Sequence, residues 1–176
     1  MRILKWMGLL VLVLAVMVLV GGSFISPRYV VTRGESILAS PRQVYALLAD
    51  PRAWMEWTVW KRRDPQMRIE FSGATTGTGA MWAWKSKAHG SGSMTFTDAQ
   101  PGQRIAFELR QADLGTLSRG ELTLRSDGAW THVTWTVQGD VGDNLLLRWM
   151  ALLIEPLLGR DFREGLANLK TLAERA

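Results

Sequence analysis

Cysteine is absent from the 176 residues, which excludes a disulfide framework, a thiol nucleophile and the lipidated cysteine of a lipoprotein anchor. Histidine is scarce: His89 and His132 show neither an HExxH motif nor a paired spacing that would ligate a metal, and both read as surface residues. Gly90-Ser91-Gly92-Ser93 lacks the strand–turn–helix setting of a nucleophile elbow. Gly77-Thr78-Gly79 has no following Lys-Ser/Thr or helix, so it reads as a turn and not a phosphate loop. The basic stripe with interleaved aromatics that nucleic-acid binding requires is missing. Lys61-Arg62-Arg63 is one short basic run ended by Asp64; it reads as a solvated turn, or as a contact for anionic lipid head groups. There is no internal repeat and no low-complexity tract.

Charge is also absent from Trp6 to Ile25, and Leu9 to Val20 is almost wholly Leu, Val, Ala and Met. At ~1.5 Å per residue such a run spans the ~30 Å hydrocarbon core, and a helix satisfies its own backbone there. Residues 1–25 therefore read as a transmembrane anchor. A cleaved signal peptide is the alternative, with Arg2 and Lys5 as its basic flank and Gly21-Gly22-Ser23 as its small-residue site. The length of the run, and apolar residues at Phe24 and Ile25, favour retention. Arg2 and Lys5 against Arg28 and Arg33, with a short head and a long tail, predict the N-terminus inside and the remainder across the membrane. Residues 26–176 have the size of one domain and are mildly basic.

Val30 to Leu38 alternates as a first strand, with Val31, Arg33, Glu35 and Ile37 on one face, so that both faces are mixed. Ser40-Pro41 is a helix cap followed by proline at the first helical position, and the helix should end before Asp50-Pro51. Pro51 opens a second short helix through Glu56. Six further strands are predicted at 67–71, 79–85, 92–98, 104–110, 117–125 and 130–139, with Pro101-Gly102 and Asp127-Gly128 among the turns, a meander that implies antiparallel pairing. From Asp143 helix formers return. Leu146, Met150, Leu153, Leu157, Phe162, Leu166, Leu169 and Leu172 form an apolar stripe, interrupted by Pro156 and Gly159, as one kinked helix or two pieces. This α+β order leaves a sheet face that only the C-terminal helix is long enough to cover, so the sheet should wrap around it.

Nine tryptophans are present. Trp82 and Trp84 share one strand face, as do Val133, Trp135 and Val137, Met94 and Phe96, and Ile105 and Phe107. Ordinary core packing would use them; an apolar pocket between sheet and helix would use them too. The candidate ligand-binding set is Trp54, Trp57, Trp60, Trp82 and Trp84, with Phe96, Phe107 and Trp135. Glu56, Glu70, Glu108 and Glu121 would serve as acid or base only if they reached that cavity. No catalytic residue, metal site or cofactor is indicated.

The segments Ser40 to Asp50, Trp54 to Trp60, Gly90 to Thr95, Thr131 to Trp135 and Gly165 to Lys170 resemble the polyketide cyclase/dehydrase-like branch of the START and Bet v 1-like (SRPBCC) superfamily, and the whole resembles its membrane-anchored bacterial members. The resemblance implies a helix-grip fold, a seven-stranded antiparallel sheet curled around a long C-terminal helix. It also implies a cavity for a hydrophobic or amphipathic small molecule, in some members with cyclisation or dehydration, and a bacterial inner-membrane location with the domain outside the cytoplasm. No catalytic motif defines the branch. Three functions stay open: a membrane-tethered binding or carrier domain for such a molecule or a lipid, an acid–base enzyme on a hydrophobic substrate, and a regulatory or structural membrane subunit.

Overall fold

The computed structural model describes residues 2–175, with side chains from position 6 onward except 14 and 15. The orientation expected from Arg2 and Lys5 rests on side chains outside that set. Helix α1, Arg2–Phe24, is long and apolar enough between Trp6 and Phe24 to cross a bilayer, a property it shares with signal sequences. Its described side chains are nearly all exposed.

Strand β1, Arg28–Ile37, leads to α2, Pro41–Ala49, and to two short helices, α3, Trp54–Trp57, and α4, Trp60–Arg63. Ser40 caps α2 as its residues require: its hydroxyl accepts from the Gln43 amide while the Gln43 side chain accepts from the Ser40 amide. The meander follows as β2 Arg68–Gly73, β3 Ala80–Ser86, β4 Gly90–Gln100, β5 Arg104–Gln111, β6 Thr116–Asp127 and β7 Trp130–Asp140. All seven strands form one antiparallel sheet in the order β1-β7-β6-β5-β4-β3-β2. β1 thus returns to the far edge of the meander, and α2 to α4 cross between the two edges.

Helix α5, Leu145–Ala173, is one helix with Pro156 inside it, capped by the Asn144 side chain. The predicted apolar stripe is not one face. Phe162, Leu166 and Leu169 are buried on the sheet, while Leu146, Met150, Leu153 and Leu157 are exposed. The inward face of the first half instead carries Ala151, Ile154 and Leu158. Five positions separate Leu157 from Phe162, so the series changes sides of the helix at Pro156 and Gly159.

The mixed face of β1 has its explanation in α5. Val31 and Ile37 are fully buried, and between them Arg33 pairs with Glu155 at 2.6 Å and Glu35 with Lys170 at 3.0 Å. Gly159 is buried, and any side chain there would run into the Arg33 guanidinium. The basic run is likewise not a solvated turn. It forms α4, where Arg62 and Arg63 reach Glu164 at 2.6 and 2.7 Å and Arg63 also reaches Asp161 at 2.6 Å, tying the short helix to α5.

Three glycines on the inner face sit opposite aromatic residues in the register: Gly139 faces Tyr29, Gly120 faces Phe107 and Gly92 faces Trp84. Each ring lies over the neighbouring strand where a side chain is missing, close enough that a Cβ would strike it. Gly120 is the strictest case, because Phe107 is buried and cannot swing away. Gly120→Ala is expected to lower stability by about 1–3 kcal/mol through overpacking, measured by urea unfolding, whereas Gln138→Ala on the outer face should stay within about 0.5 kcal/mol.

Candidate functional site

A cavity of about 230 Å³ lies between the inner face of the sheet, α4 and the middle of α5. Its wall is mainly apolar: Trp82, Trp84, Met94, Phe107 and Trp135 from the sheet, Trp60 from α4, Leu158 and Phe162 from α5. The aromatic–glycine pairs help to create it. A ring laid down on a glycine occupies the level of the sheet, and the space above it is left open; Tyr29, Phe107 and Trp84 all border that space.

Five of the eight residues expected at a ligand site therefore meet at one cavity: Trp60, Trp82, Trp84, Phe107 and Trp135. Trp54, Trp57 and Phe96 do not line it; they are fully buried in the packing beside it. Trp54 is the hub of that packing, its ring centroid 4.7 Å from Trp57, 5.2 Å from Trp82, 5.6 Å from Phe96 and 5.5 Å from Phe107. Its indole N–H donates to the Leu48 carbonyl at 2.8 Å, so the polar edge is already used. Strand alternation placed Trp82, Trp84, Phe96, Phe107 and Trp135 on the inner face, but a face contains both the residues that fill and those that border a void, and the short helices carrying Trp54, Trp57 and Trp60 lie outside its reach.

Polar groups in the wall come from residues that alternation did not select. The Tyr29 and Ser118 hydroxyls are hydrogen-bonded at 2.7 Å across β7, a span that Gly139 leaves clear. Lys61 borders the cavity with its ammonium donating to the carbonyls of Pro65 and Met67 at 2.8 and 2.7 Å. His89, expected at the surface, is partly buried in the wall, and its carbonyl accepts from the Gln111 side chain at 3.0 Å. His132 is on the opposite face of the sheet, bonded to Ser36 at 2.7 Å.

Among the described residues no carboxylate borders the cavity. Glu108 and Glu121 pair with arginines, while Glu56 and Glu70 are exposed. Asp64 stands nearby; the Ser86 hydroxyl donating to it at 2.6 Å holds its carboxyl below the usual range, with Lys61 and His89 adding to the effect. Two indole N–H groups, of Trp57 and Trp135, are buried with no partner among the described residues.

A seven-stranded antiparallel sheet gripping a C-terminal helix around an apolar cavity defines the helix-grip class of domain. The model of the family described as polyketide cyclase/dehydrase and lipid transport matches residues 29–174, and the chain belongs to that family. No curated protein sequence matches it. Among solved structures, a protein from Thermobifida fusca superposes with a TM-score of 0.63 at 18% identity, covering 83% of this chain and 93% of that one. Mll3558 from Rhizobium loti gives 0.57 at 25% identity, with 82% and 96% covered. Ara h 8.0201 gives 0.60 at 9% identity, with 85% and 99% covered. These likenesses carry the fold.

The cavity is roofed by α4, and α4 is held to α5 by charge. The Arg63 guanidinium, with Arg62, keeps the Glu164 carboxyl below its ordinary value of 4.5. A depressed folded-state pKa adds stability above the unfolded-state value, and that stability is lost as pH falls from there through the folded-state value. Glu164→Gln should therefore unfold at a lower temperature than the wild type at neutral pH, and the gap should close progressively below about pH 4.5. Thermal melts across pH 3 to 7 test it; a gap constant with pH would show that the ion pairs do not hold the roof.

Proposed function

We propose that this domain binds and carries a hydrophobic or amphipathic small molecule in the cavity, tethered to a membrane by α1. The observation that supports this most directly is the cavity wall itself: aromatic and aliphatic over most of its extent, with a few neutral or cationic polar groups. Such a wall favours an apolar body with one polar end. Lys61 has one N–H left after its two carbonyl partners, and with His89 and Gln111 it offers donors for that end. The volume is below the ~300–1,000 Å³ of typical small-molecule sites. A compact molecule fits whole, whereas a long acyl chain would extend out of the mouth. The family's description, which includes lipid transport, agrees with this reading.

One observation favours a second reading, an acid–base enzyme on a hydrophobic substrate. His89 stands in the wall together with Lys61 and Gln111, and an imidazole can both donate and accept a proton. Asp64, the carboxylate whose charge His89 favours, stands outside the wall.

Leu109 and Ser118 border the cavity from β5 and β6. Leu109→Trp and Ser118→Leu should fill it and abolish binding of an apolar fluorophore such as anilinonaphthalene sulfonate, measured on the full chain in lipid nanodiscs against empty discs. Native mass spectrometry of the same particles should show a retained small mass on the wild type and not on the filled variants. Equal occupancy in filled and unfilled proteins would defeat the carrier reading. Consumption of a retained molecule by the wild type but not by His89→Gln would favour the enzyme.

A further inference from the structure

The first half of α5 carries large apolar residues that nothing in the domain covers. Leu146, Trp149, Met150, Leu152, Leu153 and Leu157 are 41% to 64% exposed. Between Leu145 and Leu158 only Arg148 and Glu155 are charged. Both are engaged on the protein side, Arg148 with the Gly142 carbonyl and Asp143, Glu155 with Arg33. The outward face is thus uninterrupted hydrocarbon, more than an ordinary monomer surface leaves open.

What adjoins that face is the end of α1. The Trp149 indole N–H donates to the Val18 carbonyl at 2.9 Å, and its ring rests in the notch left by Gly21 and Gly22. A Cβ at Gly21 would come within 2.7 Å of the ring, and one at Gly22 within 3.0 Å of the Leu145 carbonyl. The glycines that resemble a cleavage site in the sequence are a docking notch in the structure. Val18 lies six residues before Phe24, the last residue of α1. At 1.5 Å per residue that is about 9 Å along the axis. Interfacial helices sink about 5–10 Å below the head groups, so Trp149 is held at the level where tryptophan belongs in a bilayer.

We infer that the outward face of α5 from Leu145 to Leu157 lies in the bilayer interface, with Trp149 fixing its depth against α1. This rests on reading α1 as a membrane span. The consequence for the domain is a fixed orientation. Leu158, the next residue of α5, and Tyr29, five residues beyond α1, both border the cavity. The cavity wall therefore stands at the lipid boundary, and a molecule leaving the acyl region reaches it without crossing bulk water.

The absence of cysteine makes a direct test simple. Single cysteines at Leu12, Met150, Leu153, Leu157 and Thr134 would be labelled with an environment-sensitive nitrobenzoxadiazole dye in the full chain, reconstituted into phosphatidylcholine vesicles. Expected is quenching of the three α5 probes by shallow spin-labelled lipid, several-fold stronger than by aqueous iodide. The Leu12 probe should respond to deep lipid quenchers and the Thr134 probe, on the outer sheet face, to iodide alone. If Leu12 is lipid-quenched while the α5 probes answer only to iodide, the span stands and the interfacial face is refuted. If the α5 probes are shielded from both quenchers, a second protein copy covers them and the inference is equally refuted. If Leu12 escapes lipid quenching, the span reading itself fails, and the inference with it.

Discussion

Phe162 of α5 lies flat on Trp135 of β7, ring centroids 3.8 Å apart and planes 7° from parallel. Trp57 meets Trp135 edge-on at 5.2 Å, and Gly165 brings the helix backbone close to both tryptophans, a Cβ there lying 3.4 to 3.6 Å from their rings. The position of α5 over the sheet follows from this junction. A helix set further out would leave the inner face wet, and a residue larger than alanine at 165 would push it there, since a Cβ alone would only reach ordinary contact with the two rings. Aromatic contacts of this kind add about 0.5–1.5 kcal/mol each beyond the area they bury.

Around that junction, charge does the positioning that hydrocarbon cannot. Burial of Phe162, Leu166 and Leu169 selects the face that α5 turns to the sheet, but a non-directional force sets its slide along the sheet only loosely. Arg33 with Glu155 and Glu35 with Lys170 fix it along β1, and Arg62 and Arg63 fix α4 on its other flank. Exposed pairs individually contribute about 0–1 kcal/mol. Their value here is one of register, which places α4 over the space that Trp82, Trp84, Met94 and Phe107 leave open.

The cavity is a product of what the strands omit. Three aromatic–glycine pairs set rings down along the sheet, while Trp54, Trp57 and Phe96 fill the adjoining volume completely. The grip therefore divides along its length: one end is solid packing and the other holds the cavity. The exposed first half of α5 joins the open side to the end of α1.

Local physics was legible in the chain before any fold was known. An uncharged apolar run, a Ser-Pro helix start, Asp-Pro and Pro-Gly stops, and period-two alternation mark the helix and strand positions, because each depends on neighbours a few residues away. The mixed face of β1 and the basic run of α4 were unreadable for the opposite reason: Arg33, Glu35, Arg62 and Arg63 find partners on α5 about a hundred residues or more later. The same holds for Gly92, Gly120 and Gly139, whose meaning lies in the ring across the sheet, and for the apolar stripe of α5, which periodicity joins into one face and packing divides into two. Alternation decides which face a strand aromatic takes; only the three-dimensional packing decides whether it fills the core, as Phe96 does, or borders a cavity, as Trp135 does, because a void is defined by all of its walls at once.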